Sequence, residues 1–333
     1  MRIAVLGAGS WGSALAIATS KVAPVTLWAQ RPAQINYLNA QRNNPDYLPE
    51  AIHFAANVTF TSQLAACITA DLVIIATPLH ALRSLLQQLK LLSQMLPDLI
   101  LVSKGFEAHS AKLPHEIVAE ELGDFRRCGV LIGPSFAHEV ALGLPTAITL
   151  AAADLNFALK WMEQLKGIPN FRIYAHDDVI GSEVGAAVKN VMAIAVGISD
   201  GLNLGANARA ALITRSLNEL ASLVLALGGR RETIYGLTGI GDLILTCTGD
   251  LSRNRKVGQE LATGKGITEI VANLGHVAEG VSSSREIYLK AQQLDIAMPI
   301  VASVYRIIYQ QADIHSEVFN LINRQPKTEF ISI

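Results

Sequence analysis

Six residues near the amino terminus constrain the fold more than any other part of the chain. Gly7-Ala8-Gly9-Ser10-Trp11-Gly12 follows directly on the apolar run Ile3–Leu6 and opens a helical stretch, Trp11–Lys21. Glycine suits each of three places for a different reason. Gly7 lets the chain turn tightly out of a strand, Gly9 lets backbone approach whatever lies over the turn, and Gly12 lets helix and strand pack closely. The helix start, with Ser10 and Trp11 in its first turn, offers unpaired N–H groups and the positive end of the helix dipole, which suits a pyrophosphate. Such spacing also occurs in ordinary glycine-rich surface turns. Its place between a strand and a helix, at the head of a series of βα units, makes it a dinucleotide-binding signature.

The units that follow are regular. Val25–Trp28, Leu72–Ala76, Ile100–Val102, Val130–Ile132 and Ala147–Leu150 are apolar throughout, as parallel strands covered on both faces are. Leu79–Met95 and Pro114–Leu122 read as helices between them, the second with proline in its first turn. This predicts an α/β fold built on a Rossmann-type, doubly wound parallel sheet. After a last strand-like run, Phe171–Tyr174, the pattern changes to Ala/Leu-rich text with a period near 3.6, punctuated by Gly201, Gly228-Gly229, Gly264 and Gly275. A chain of 333 residues is long for one core. We therefore expect a nucleotide-binding domain over 1–179 and an all-helical substrate and catalytic domain over 180–333.

Composition closes off several functions. A formal net charge of −1 and 6% aromatics argue against a nucleic-acid partner. The apolar stretches Val184–Ile198 and Ala208–Leu227 are broken by Lys189, Arg209, Arg215 and Glu219, so they read as core helices and no membrane span is expected. Cys67, Cys128 and Cys247 fit neither a disulfide framework nor a metal site, which points to reduced thiols, a cytoplasmic location and no metal. No signal peptide is expected, since after Met1-Arg2 the apolar run Ile3–Leu6 ends at once in the glycine-rich turn. So apolar a helical half is compatible with a homodimer.

Chemistry-bearing residues stand at strand ends and in the helical half. After the second strand the chain reads Ala29-Gln30-Arg31-Pro32, with no carboxylate to hold an adenosine ribose. Arg31 suits a 2′-phosphate and hence NADP(H), with NAD(H) still usable, though it also reads as a solvated surface arginine. Lys189 is the one charge in a helix of small and apolar residues. Burial would lower its pKa into a range useful for proton transfer; a lysine snorkelling from a core helix fits as well. Ser252-Arg253-Asn254 is a dense donor set suited to a phosphate monoester, or an ordinary polar helix start. Asp242, in a glycine-rich segment, could orient Lys189 or a substrate hydroxyl. Gly133-Pro134-Ser135-Phe136-Ala137 and Ser103-Lys104-Gly105 both follow strands, where open α/β sheets bind ligands.

In order, these segments resemble the bacterial-type NAD(P)-dependent glycerol-3-phosphate dehydrogenase family. The resemblance rests on GAGSWGSALA, NPDYLP at 44–49, SKGFE at 103–107, GPSFAHEV at 133–140, VKNVMAIAVGISDGL at 188–202, ARAALITRSLNEL at 208–220, GLTGIGDLILTC at 236–247 and SRNR at 252–255. It implies reduction of dihydroxyacetone phosphate to sn-glycerol 3-phosphate for phospholipid synthesis. It also implies that Ser10, Trp11, Arg31, Ala137, Val277 and Glu279 contact cofactor. Lys104, Gly133, Ser135, Asp242, Ser252, Arg253 and Asn254 would contact substrate, Lys104 and Arg253 would serve both ligands, and Lys189 would be the catalytic lysine. The chain departs from the family pattern at Thr77, Ala206 and Ser216. Two other functions share parts of this pattern: a related hydroxy-acid or opine dehydrogenase, which would need a carboxylate-binding arginine and no phosphate cluster, and a non-catalytic NADP(H) sensor.

Overall fold

In the computed structural model, which describes residues 1–123, 125–274 and 278–325, the apolar runs lie side by side. Eight strands, β1 (Ile3–Leu6), β2 (Val25–Trp28), β3 (Val58–Thr61), β4 (Leu72–Ile75), β5 (Asp98–Leu101), β6 (Cys128–Ile132), β7 (Thr146–Ala151) and β8 (Phe171–His176), form one sheet in the order β3-β2-β1-β4-β5-β6-β7-β8. Strand order reverses between β1 and β4, which pair in parallel with Leu6 opposite Ile75. The crevice beyond the carboxyl ends of these two strands is where such sheets bind ligands. Helices α1 (Ser10–Thr19), α2 (Pro32–Gln41), α3 (Leu79–Leu92), α4 (Pro114–Leu122), α5 (Ala137–Ala141) and α6 (Leu155–Leu165) accompany the sheet. All four residues of β1, β4 and β5 are buried, as expected of strands sandwiched between helices.

Two features differ from the sequence expectation. β3 is an additional strand. Its Val-Thr-Phe-Thr sequence buries Val58 and Phe60 and exposes Thr59, the one-faced pattern of an edge strand rather than an apolar run. The sheet is also not parallel throughout: β7 runs antiparallel to β6, with Val130 opposite Ala151. The β6–β7 link holds only the five-residue α5, and the chain turns back instead of crossing over. α6 then provides the crossover that makes β8 parallel to β7.

Beyond β8 all the described elements are helical: α7 (Val179–Gly201), α8 (Gly205–Ala226), α9 (Arg231–Ile234), α10 (Asp242–Thr248), α11 (Arg253–Ala262), α12 (Ile267–Leu274), α13 (Glu279–Gln293), α14 (Pro299–Tyr309) and α15 (Ile314–Ile322). Asp178 starts α7 as its cap, accepting hydrogen bonds from the Gly181 and Arg230 amides and the Thr233 hydroxyl. α7 is long and apolar enough to cross a membrane by length and composition, yet 94% of its apolar window is buried inside the protein. A helix apolar on every side needs neighbours on every side. Glycines let those neighbours come close: a Cβ at Gly197 would lie 2.0 Å from the Arg255 carbonyl oxygen, and one at Gly258 2.0 Å from that of Ile194. α7 and α11 therefore touch backbone to backbone, which places Asn190 beside Asn254. α4 meets α7 through Glu183, which accepts from the His115 amide at 3.0 Å and pairs with its ring.

Candidate active site

Each glycine of the first turn has the environment its role requires. Gly7 has φ +117°, and a Cβ there would strike the Ala76 carbonyl oxygen at 2.7 Å. At Gly12 a Cβ would lie 1.8 Å from the Gly7 carbonyl oxygen. At Gly9 a Cβ would meet nothing within 4 Å, so this backbone faces open space at the carboxyl end of β1. No side chain caps α1, and the first N–H groups of a helix, here those of Ser10, Trp11 and Gly12, have no partner within it. An open cradle with uncapped amides fits the pyrophosphate of a dinucleotide. The cradle is braced from behind: Gln34 Nε2 and Asn44 Nδ2 donate to the Ala8 carbonyl at 2.9 and 3.0 Å, and Asn44 also donates to the Ser13 hydroxyl. Neither brace was identified from sequence, although Asn44 opens the NPDYLP segment.

Arg31 precedes α2, with Pro32 in the first helical turn. It is exposed and its guanidinium has no partner among the described residues. Gln34 of the same helix reaches Ala8, and the Gly7 amide donates to the Trp28 carbonyl at 2.9 Å, so the segment carrying Arg31 adjoins the cradle. Ala137 opens α5, which packs on α1. Val277 lies outside the described residues.

A second group of side chains gathers where the helical part meets the carboxyl edge of the sheet. Lys189, from the middle of α7, is 5% exposed and pairs with Asp242 Oδ1. Lys104, from the loop after β5, reaches within 3.6 Å of Asp242 Oδ2, an oxygen that is buried with no hydrogen-bond partner. The two lysines differ in charge behaviour. Burial draws Lys189 down to about 8, with the Lys104 charge adding to it and Asp242 opposing. Burial also works against Lys104, but the Asp242 and Glu279 carboxylates outweigh it and hold that lysine above its ordinary value. A five-residue π-helical turn, Leu237–Gly241, delivers Asp242 to this position. Such turns often mark functional sites. Thr246, one turn on, donates to the Asp242 carbonyl at 2.6 Å.

An amide network closes one side. Asn254 Nδ2 donates to Asn190 Oδ1 at 3.0 Å, Asn190 Nδ2 donates to Glu279 Oε2 at 3.2 Å, and Asn254 Oδ1 accepts from the Gly280 amide at 3.0 Å. Asn190, next in sequence to Lys189, was not identified from sequence, although a buried amide in so apolar a helix is itself a signal. Ser252 caps α11 by accepting from the Arg255 amide at 3.2 Å. Arg253 is exposed and without a partner among the described residues, whereas Arg255 is tied to Asp200 at 2.7 Å and so serves structure. Gly133, at φ +153°, passes so close to β7 that a Cβ would lie 2.9 Å from Ile148 Cα. Ser135 donates to the Gly133 carbonyl at 2.9 Å. This loop adjoins the Asp242 turn, since a Cβ at Gly241 would be 3.7 Å from Pro134.

The structure thus brings Lys104, Lys189 and Asp242 together, links Asn254 to Glu279 through Asn190, and sets the Gly133–Ala137 loop beside them. Arg31 stands apart at the cradle. The sheet and its uncapped glycine turn, with a buried lysine–carboxylate cluster at the same edge, define a dinucleotide-dependent oxidoreductase. Models of the NAD-dependent glycerol-3-phosphate dehydrogenase N-terminus and C-terminus match residues 2–158 and 178–318. The chain belongs to that family. It is 52% identical to the glycerol-3-phosphate dehydrogenase [NAD(P)+] of Aromatoleum aromaticum over 331 residues, 99% of this chain and all of the relative. It is 50% identical to that of Nitrosomonas europaea, covering 99% of each. The crystal structure of glycerol-3-phosphate dehydrogenase from Coxiella burnetii superposes with a TM-score of 0.92 at 40% identity, covering 97% of this chain and 99% of that one.

Proposed function

We propose that the protein catalyses reversible hydride transfer between NAD(P)H and dihydroxyacetone phosphate, making sn-glycerol 3-phosphate for phospholipid synthesis. The observation that carries this reading is the buried Lys104–Asp242–Lys189 cluster beside a free arginine and an amide network, at the sheet edge that holds the glycine cradle. The cofactor, when bound, supplies or accepts the hydride. Gly7, Gly9 and Gly12 with the amides of Ser10 and Trp11 hold its pyrophosphate, Ala137 lies alongside, and Glu279 and Val277 complete its contacts. In reduction, Lys189 Nζ donates a proton to the carbonyl oxygen, held in place by Asp242 Oδ1. Asp242 Oδ2, which has Lys104 at 3.6 Å but no hydrogen bond, accepts from the substrate hydroxyl. Lys104 stays charged and stabilises the developing alkoxide. Arg253, Asn254 and Ser252, with Gly133 and Ser135 opposite, receive the phosphate; Lys104 and Arg253 border both ligands.

The finer assignments belong to the same reading. Arg31, exposed and without a partner, favours NADP(H) over NAD(H). Residues 1–179 act as the cofactor domain and 180–333 as the substrate domain, with the capped start of α7 at the junction. Three free, buried cysteines agree with a reducing, cytoplasmic setting. The test is loss of nicotinamide absorbance when NADPH and dihydroxyacetone phosphate meet the purified protein. Turnover of a 2-keto acid, with none of dihydroxyacetone phosphate, would overturn the reading.

A further inference from the structure

Lys189 and Asp242 come from different elements, so neither helix alone decides how far apart they stand. α7 carries the lysine, and the π-helical turn Leu237–Gly241 delivers the aspartate. The separation depends on where these two backbones touch. They touch at Gly185, one turn ahead of Lys189 on the same face of α7. A Cβ at Gly185 would lie 2.5 Å from the Thr238 carbonyl oxygen and 3.3 Å from its carbonyl carbon. Both are backbone atoms, with no flexible side chain to swing aside. The turn also packs tightly on the chain leading into it, since a Cβ at Gly239 would lie 2.0 Å from the Ile234 carbonyl oxygen. Thr238 itself is 1% exposed. The turn therefore rests on both α7 and Ile234, with a glycine at each contact.

We propose that Gly185 is a positioning residue: its missing side chain lets Thr238 and Gly239 rest directly on α7, and this contact sets the distance at which Asp242 engages Lys189. The inference rests on the reading of Lys189 as proton donor. A methyl at Gly185 would have to push the turn by roughly 1 Å before ordinary contact distances return, and misplacements of about 1 Å can reduce rates by up to about 10²-fold. Charge adds a second consequence. The titratable groups facing Lys189 are Asp242 and Cys247 of α10, Lys104 of the loop after β5 and, beyond Lys104, Glu279 of α13. Of these, Asp242 opposes burial and Lys104. Drawing it back leaves Lys189 losing its proton at lower pH.

The measurement is the pH dependence of kcat and kcat/KM for dihydroxyacetone phosphate reduction by Gly185→Ala, with NADPH binding followed separately. Reduction needs protonated Lys189, so activity falls as pH rises through its pKa. That limb should move to lower pH, with kcat down roughly 10- to 100-fold and NADPH affinity unchanged. Gly201→Ala is the matched control: it adds the same methyl to the same helix, 2.6 Å from Ala262 Cβ and 3.0 Å from the Gln259 carbonyl, away from the turn. It should lower Tm and leave the limb in place. If Gly185→Ala does not fold, Thr238→Gly keeps the contacting carbonyl but frees the backbone of the turn that carries it, and should move the limb the same way by less. A Gly185→Ala profile superimposable on the wild type overturns the proposal, as does an equal shift in Gly201→Ala or, where Thr238→Gly decides, an unmoved limb. Lys189→Met separates the two levels. If it keeps its kcat, the underlying reading of Lys189 fails; if it is inactive while the Gly185 limb stays put, only the positioning inference fails.

Discussion

Two carboxylates are buried at opposite edges of the sheet, and they are hydrogen-bonded differently. Asp98 begins β5 at the amino edge. Lys160 Nζ and Trp161 Nε1 donate to its Oδ2 at 2.7 and 2.9 Å, and Arg127 Nε donates to its Oδ1 at 2.8 Å. Burial alone would raise its pKa, but these three donors outweigh that and hold the carboxyl below its ordinary value. At the carboxyl edge Asp242 has Lys189 on one oxygen and, on the other, the Lys104 ammonium at 3.6 Å, beyond hydrogen-bond distance. A cavity of about 520 Å³ opens beside Asp98, yet its cationic lining is already paired. The two therefore differ in hydrogen bonding more than in burial: Asp98 has donors on both oxygens, whereas one oxygen of Asp242 has none.

The sharpest way to break this comparison is to remove the lysine that completes Asp242. Lys189→Met should lower kcat by about 10²–10⁴-fold, the usual contribution of a general acid, while NADPH binding measured by fluorescence persists. In the wild type, kcat/KM for reduction should fall as pH rises through about 8, because only the ammonium form can donate. Oxidation of glycerol 3-phosphate needs the neutral amine and should rise over the same interval. A reduction profile flat from pH 6 to 10 would take Lys189 out of the proton path.

Arg253→Ala comes next in size. Binding energy from a non-reacting phosphate can be used to orient the carbonyl, so both kcat and KM should suffer. Preference for dihydroxyacetone phosphate over dihydroxyacetone should drop by about ten- to a hundredfold, the worth of a charged hydrogen bond of roughly 1.5–3 kcal/mol. An unchanged preference would place the phosphate elsewhere. Arg31→Ala should raise KM for NADPH by about the same factor and leave KM for NADH nearly unaltered. Equal loss for both cofactors would mean that Arg31 stacks on adenine and reads no phosphate.

Asp98→Asn supplies the opposite half of the comparison and the smallest effect on activity. It should leave kcat within about twofold and lower stability near pH 7 by about 1–3 kcal/mol. The sign follows from the lowered pKa: Asp98 contributes stability above the ordinary carboxylate value of about 3.9, lost as pH falls through its folded value. The variant's Tm should therefore depend less on pH on the acid side. A variant that lost turnover and kept its Tm would reverse the roles given to the two carboxylates.

Legibility in the sequence followed the range of the interactions involved. The glycine cradle could be read because each glycine answers a local backbone demand, such as the positive φ at Gly7 or the contact of Gly12 with the Gly7 carbonyl. The apolar strands could be read because both faces are buried. β3 escaped notice because it buries one face only, and the reversal of β7 because strand direction depends on how its connection packs. Asn190 was passed over beside Lys189 because a buried amide has no titration to advertise it, and its partners Asn254 and Glu279 lie far off in the chain.

By itself, then, the sequence determined the strands buried on both faces, the glycine turn and the residue types available for chemistry, all of which rest on local backbone geometry and hydrophobic periodicity. Tertiary structure decided which lysine is buried against a carboxylate and which carboxylate oxygen is left without a donor. It also decided which arginines are already paired. Sequence reading left Lys189 balanced between a proton donor and a snorkelling side chain. Snorkelling fails because α7 is enclosed by the rest of the protein and Lys189, 5% exposed, is paired with Asp242, so that desolvation and a carboxylate act on the same amine. Burial and pairing are properties of three-dimensional neighbours, and only the folded chain supplies them.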